Sequence, residues 1–172
     1  MSTSVMIETK RLQIIPLSYE QLLQYAACDH SLEDALGVKY KDEGISPELK
    51  EALENTIIPN VADRSKNYLF STLWTAITKE EREMVGDLCI IGEPNAAGEI
   101  EIGYGTYQAF QGKSFMTEIV SGIIEWARKE VGVKFIVAST DKNNLASYRV
   151  LEKNYFKLKG ETNTMLQWQL EL

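Results

Sequence analysis

The stretch IGYGTYQAFQGKSFMTEIVSGIIEWARKE, residues 102–130, changes its period part-way along. Up to Tyr107 it has the composition of a strand. From about Ser114 the apolar residues Phe115, Ile119, Ile123, Trp126 and Ala127 fall on one helical stripe, and Gly132 closes the helix. Between the two lies Gln111-Gly112-Lys113-Ser114. A glycine-containing loop that enters a helix presents unpaired backbone N–H groups and the positive end of the helix dipole, a combination that binds anions. The dipole alone contributes ~0.3–1 kcal/mol, up to ~2 when partly buried, and several converging N–H donors add to it.

The phosphate of a nucleoside triphosphate is the first candidate for such a loop. The P-loop pattern requires Gly, four residues, then Gly-Lys-Ser/Thr. Here Tyr107 stands where the first Gly is needed, and Gly105 comes two residues too early. Tyrosine cannot form the Cβ-free turn that wraps a phosphate. FIVAST followed by Asp141 imitates a Walker B strand, but a nucleotide-binding α/β fold places its P-loop after the first strand. A different phosphate ligand is required.

Working outward, RLQIIPL (11–17) reads as a strand and SYEQLLQYAAC (18–28) as a helix capped by Ser18. SPELKEALENTIIPNV opens a second helix with Pro at its first position; Leu49, Leu53 and Ile57 share a face, and Pro59 is expected to end it. Three strands follow, over 68–78, 84–92 and 99–107, joined by the charged turn KEERE and the loop EPNAAG, which suggests an antiparallel meander. Glu99 and Glu101 face opposite to Ile100 and Ile102. KFIVAST (134–140) is a strand reached through a helical crossover, so it should run parallel to the strand before that helix. A helix over 144–154 and two strands forming a hairpin around Gly160 complete the chain. The order β-α-α-β-β-β-α-β-α-β-β predicts a mixed α/β fold: one domain over residues 1–172, with a mostly antiparallel sheet of about seven strands and helices on both faces.

Net charge is −7 and the pI about 4.9, which argues against a nucleic-acid partner, since that needs a basic face. The same acidity suits a cationic substrate such as an amine or a basic peptide. Cys28 and Cys89 form no CxxC pair, and Cys89 in its apolar run reads as a buried reduced thiol. The single histidine, His30, cannot build a His-rich metal site and reads as a loop or surface residue. There is no signal-peptide pattern and no apolar run near the ~20 residues of a membrane span. A cytoplasmic protein with no membrane partner is expected.

The strand–loop–helix segment resembles the acetyl-CoA-binding motif of the GNAT superfamily of N-acetyltransferases, and more narrowly the ribosomal-protein N-terminal alanine/serine acetyltransferases. That motif runs Gln/Arg-x-x-Gly-x-Gly/Ala into a helix, and Gln111 to Met116 occupy its six positions. EIGY (101–104) matches the strand before it, and TE (117–118) the helix start. NLASYRVLEKNYF (144–156) resembles the family's Asn-x-x-Ser block, and ETKRL (8–12) the subgroup's Thr-x-Arg-Leu opening. The resemblance implies acetyl-CoA as co-substrate; no metal is expected, and monomer and homodimer both stay open. The amides of Gln111, Gly112, Lys113, Ser114, Phe115 and Met116 would hold the pyrophosphate. Tyr104, Gly105 and Thr106 would pair with the pantetheine like an added strand, and Asn144 and Ser147 would face the thioester. The departures are Ser114 and Met116 at the last two small positions, Tyr155 for the glycine before Phe156, and Leu151 where many relatives carry an acidic tyrosine. They raise the alternative of a catalytically weak binding module. Met116 would then crowd the adenosine end. For the enzyme, the ribosomal-type subgroup implies the serine of Asn-x-x-Ser as the acid for the thiolate, here Ser147.

Acetyl transfer to an amine requires a neutral amine, a polarised carbonyl and a protonated leaving thiolate. An α-amine of pKa ~7.7–8.0 is roughly a tenth neutral at pH 7, whereas a lysine amine costs about 4 kcal/mol more to deprotonate. With no histidine near the motifs, Glu99 or Glu101 could act as the base, directly or through water, and Glu101 is favoured because it sits next to the proposed thioester site. A structural role anchoring a neighbouring loop is the competing expectation for it. The acceptor is expected to be a protein N-terminus or small amine. It should bind between the first two helices and the C-terminal hairpin.

Overall fold

A computed structural model describes residues 4–172. Eight strands form one mixed sheet: β1 (Ile7–Glu8), β2 (Leu12–Pro16), β3 (Leu73–Thr78), β4 (Met84–Ile90), β5 (Glu99–Thr106), β6 (Phe135–Asp141), β7 (Lys157–Glu161) and β8 (Met165–Glu171). Their spatial order is β1-β2-β3-β4-β5-β6-β8-β7. Every neighbouring pair is antiparallel except β5 and β6, which the crossover makes parallel. The extra strand is β1, whose two residues pair with Ile14 and Gln13 and are too short to carry a periodic signal.

Helices cover both faces. On one lies α5 (Phe115–Ala127), with α6 (Leu145–Lys153) beside it. Ile119, Ile123 and Trp126 of α5 join Leu12, Ile14, Trp74, Leu88, Ile100 and Ile102 in one buried core. On the other face α1 (Tyr19–Ala27), α2 (Ser31–Leu36), α3 (Pro47–Ala52) and α4 (Ile58–Ala62) bring Leu22, Tyr25 and Leu32 onto Leu73 and Ile77. Each fully buried Leu or Ile contributes ~1.5–3 kcal/mol relative to exposure. Trp74, Trp126 and Trp168 are all buried.

Three local expectations are corrected. Pro59 does not end its helix. A π turn over Leu53–Ile57 links α3 to α4, and Ile58 N–H bonds back to Leu53 O, so Pro59 falls in the first turn of a new segment where its missing N–H costs little. The strand expected from residue 68 starts at Leu73, because Asn67 caps a 3₁₀ turn over Tyr68–Phe70. The last hairpin turns at residues 162–164; Gly160 lies inside β7 at a register shift against β8.

At Gly86 the backbones of β4 and β5 leave no room for a side chain. A Cβ there would stand 2.8 Å from Gly105 O and 3.3 Å from Thr106 Cα, both backbone atoms, with the end of Met116 at 3.2 Å. Gly86→Ala is expected to destabilise the protein by about 1–3 kcal/mol, the usual cost of overpacking against atoms that cannot move aside. Urea unfolding measures this, and an unchanged midpoint would mean that β4 and β5 can separate without cost.

Candidate active site

β5 and β6 pair only at Glu99, Ile100 and Glu101 against Phe135, Ile136 and Val137. Beyond that point β6 stays with β8 as far as Asp141, and Ile102–Thr106 of β5 pair with β4 alone. The sheet therefore opens into a wedge. Along an antiparallel strand the backbone groups point alternately to either side, so half of those on Ile102–Thr106 face the gap without a ladder partner. Gly105 is exposed there. Tyr104, Gly105 and Thr106 all line this edge.

The wedge widens towards the N-terminus of α5. Residues Gln111–Ser114 are exposed. Among the described residues, the backbone N–H groups of Gly112 through Thr117 donate to no protein acceptor. Ser114 is the N-cap of α5, and its hydroxyl makes no capping bond. Its φ is 63° and ψ 18°, the left-handed conformation that glycine adopts freely. The substitution therefore keeps the backbone path and adds a hydroxyl. Met116 is buried, its tip packed towards Gly86 of β4, so it does not crowd the loop. Arg11 braces the loop from behind: its guanidinium donates to Lys113 O at 3.0 Å, contacts Glu118 at 3.4 Å and covers the Phe115 ring at 4.3 Å. Arg11 stood inside the ETKRL block, but nothing in its spacing disclosed this role.

α6 forms the far wall. The Asn144 side chain caps it by accepting the Ser147 N–H at 3.1 Å, so Asn144 fixes the position of Ser147. The Tyr104 hydroxyl reaches across the gap to donate to Ser147 O at 2.8 Å, and the Ser147 hydroxyl lies 3.4 Å from it. Burial pushes the Tyr104 phenol up to about 12, so it stays protonated through the neutral range. Glu101 stands at the apex of the wedge, opposite Val137, on the sheet face away from Ile100 and Ile102. Its backbone O accepts from Ile91 N–H, while its side chain makes no hydrogen bond or ion pair among the described residues. The side chain therefore anchors no loop. Leu151 is fully buried and supplies no acid.

A second group of polar residues went unnoticed in the sequence. Asp87 of β4, paired in register with Gly105, is buried. Its Oδ2 accepts from Tyr25 at 2.5 Å and Tyr107 at 2.6 Å. Burial raises the Asp87 carboxyl, against the pull of both hydroxyls and of nearby Lys41. Both phenols are pushed up too, first by burial and then by the Asp87 charge. The available signal was one acidic residue inside the apolar run MVGDLCII. Cys89, two residues on, is half-buried, and burial raises its thiol, so it is no nucleophile.

A family model described as an acetyltransferase (GNAT) domain matches residues 11–157. The chain belongs to the GNAT acetyltransferases. It is 27% identical over 167 residues to YjdG of Bacillus subtilis, an uncharacterised N-acetyltransferase, covering 95% of this chain and 96% of that one. Among solved structures it resembles the ribosomal-protein alanine acetyltransferase of Vibrio fischeri, with a TM-score of 0.69 at 17% identity over 98% of this chain and 97% of the other. It also resembles RimL, a ribosomal α-N-protein acetyltransferase solved with coenzyme A, at TM-score 0.68 and 16% identity over 98% of each chain. At these identities the structural likeness establishes the fold, and the triphosphate P-loop is excluded with it.

Tyr155, at the second lost glycine, has φ 67° and is largely exposed. A non-glycine residue in this region costs about 1–2 kcal/mol, offset in a glycine variant by ~0.5–1 kcal/mol of extra chain entropy. Ser114→Gly and Tyr155→Gly are each expected to raise stability by up to ~1 kcal/mol; Asn154 beside Tyr155 donates to Thr117 O in the first turn of α5, so the two effects can couple. Denaturant midpoints of the single and double variants measure it. Alkaline titration gives a further test. The folded chain holds the Tyr104 proton above its unfolded value of ~10, so this stability is complete below pH ~10 and is lost as pH rises towards about 12. Tyr104→Phe should flatten that fall; an identical alkaline profile would show that the phenol titrates as in the unfolded chain.

Proposed function

We propose that this GNAT enzyme moves the acetyl group of acetyl-CoA directly to a primary amine, most simply the α-amine of a protein N-terminus or a small amine. The observation that carries the reading is the continuity of one groove. Its broad end offers the free amides from Gly112 to Met116, its length is the unpaired edge of β5, and its apex holds Glu101. A diphosphate, an amide-containing arm and a thioester fit these three parts in that order.

Each residue then has a role. The amides of Gly112, Lys113, Ser114, Phe115 and Met116 hold the pyrophosphate, with Gln111 at the loop's entry and the Ser114 hydroxyl as an added donor. The open backbone of Tyr104, Gly105 and Thr106 pairs with the pantetheine. Asn144 holds the first turn of α6, which sets the Ser147 hydroxyl beside that of Tyr104, where Ser147 can return a proton to the leaving sulfur. Glu101, unencumbered at the apex, takes the proton from the amine directly or through water. An α-amine asks less of that base than a lysine side chain does. Within the described residues no helix is long and apolar enough to cross a membrane. The reading places the enzyme in the cytoplasm, as a monomer or homodimer acting on a soluble acceptor.

The test is a thermal-shift titration with acetyl-CoA against Mg-ATP, followed by thiol release with a panel of amines. Acetyl-CoA at a hundred times its dissociation constant should stabilise the fold by about 2.7 kcal/mol, and Mg-ATP by nothing. Ser147→Ala should then lower kcat by about a hundredfold with KM for acetyl-CoA little changed. Absence of any shift with acetyl-CoA at millimolar concentration would transfer the chain to the weak or inactive binding modules of the same fold.

A further inference from the structure

The sheet face opposite α5 and α6 holds a buried arrangement that the donor groove does not use. The Lys41 ammonium lies 4.5 Å from the centre of the Tyr25 ring and 4.4 Å from that of Tyr107. Both hydroxyls point away from it to Asp87, and they stand 3.2 Å from one another. Lys41 Nζ is buried and has no hydrogen-bond partner among the described residues; Asp87 Oδ1, also buried, has none either. The cation is thus held by two ring faces and by the carboxylate charge behind them, with none of its three N–H groups used.

That is an incomplete way to keep a charge out of water, since each unused donor forfeits its hydration. It is nonetheless a well-formed receptor for a primary ammonium: aromatic faces on the outside, an anion behind, and little competing water. Lys41 reaches it from residues 38–46, which carry no helix or strand. That segment is held by other groups: Lys39 N–H on Arg82 O, Tyr40 stacked on His30 and bonded to Asp34, and Glu43 on Gln108 N–H. The Lys41 side chain can therefore leave while its backbone stays. It would leave into a cleft of about 570 Å³ lined by Lys39, Asp42, Glu43, Glu83, Tyr107 and Phe110. Lys39 is already paired with Glu81 and Glu83, so Asp42 and Glu43 bias the opening towards cations.

We propose that the Tyr25–Tyr107–Asp87 cage is a subsite for a second positive charge on the acceptor, a lysine-type ammonium, and that Lys41 is its resting occupant. The inference rests on the acetyltransferase reading for the place of the reacting amine. Gly105, the register partner of Asp87, lies four residues along β5 from Glu101 on the same face, about 13 Å at ~3.3 Å per residue. An extended peptide with its α-amine at Glu101 spans that distance when a lysine stands two or three residues in. The acceptor class is then a basic N-terminal segment, in agreement with the acidity of the chain.

The probes are alanine-headed glycine pentapeptides with one lysine at the second, third or fourth position, and their norleucine counterparts. Binding to the full chain with coenzyme A present is followed by calorimetry. Lys41→Ala empties the cage and should tighten at least one lysine peptide about tenfold over wild type, with no change for norleucine, in keeping with the strength of a desolvated cation–π contact. Asp87→Asn should remove the lysine preference. Because that variant may fold poorly, wild-type Lys41 is also pulse-labelled with acetic anhydride and read by mass spectrometry. The lysine peptide should raise its labelling severalfold, and the norleucine peptide should not. Equal or absent binding of both peptide kinds by Lys41→Ala, or labelling that neither peptide changes, overturns the proposal. Thiol release is measured separately: its failure with every amine would overturn the enzymatic reading and leave the ammonium subsite standing.

Discussion

The parting of β5 from β6 after Glu101 and Val137 is the constraint on which the other features turn. Had the two strands stayed paired, the backbone groups of Ile102–Thr106 would be spent on β6, and a polar ligand arm would find no partner. The parting is sustained from both sides. β4 holds β5 along the whole diverging segment, and β8 holds β6. Tyr104 spans the gap to Ser147 with side-chain hydrogen bonds, not with its strand backbone. The short β1–β2 segment matters for the same reason: between those strands lies Arg11, which ties the start of α5 to the sheet and sets the angle at which the free amides meet the wedge.

The two faces of the sheet are specified by different chemistry. The donor side is written in backbone: amides, an open strand edge and a capped helix turn. Such a site tolerates replacement of side chains provided the torsions survive, and Ser114 and Tyr155 show the tolerance directly by holding left-handed torsions without being glycine. The acceptor side, on the reading proposed above, is written in side chains: Glu101, Asp87, Tyr25, Tyr107 and Lys41. Donor chemistry can thus be shared across a family while acceptors diverge.

Much of this was legible in the sequence because period and punctuation carry it. The shift from strand to helix period around residue 110 and the helical crossover into β6 each sit within a few residues of chain and leave a local trace; Asn144 and Ser147 were marked only by the resemblance of their block, and the cap between them emerged with the structure. Pro59 misled because a π turn, invisible to a 3.6-residue period, absorbed it. The hairpin was misplaced because Gly160 marks a register shift inside β7. β1 was missed because two residues have no period. The Asp87 cage was illegible for a deeper reason: its members lie at 25, 41, 87 and 107, and only the packing of α1 and of the segment after α2 against β4 and β5 brings them together. The single acidic residue in MVGDLCII showed that something buried needed a charge, and nothing local could say what.

The wedge also bears on how the chain keeps to itself. A strand with a bare edge is a template on which another molecule's strand can grow, and most proteins confine that hazard to the rim, where charge or brevity blunts it. Here the rim strands are guarded in that way: β1 has two residues, and β7 carries Lys157, Lys159 and Glu161, all exposed. An equally long bare edge, that of β5, is instead placed inside the sheet, flanked by β6 and tied to α6 through Tyr104 and Ser147. A single slender chain can thread into it, whereas a second sheet cannot approach. The geometry that leaves the backbone free for a ligand also shields it from edge-to-edge aggregation.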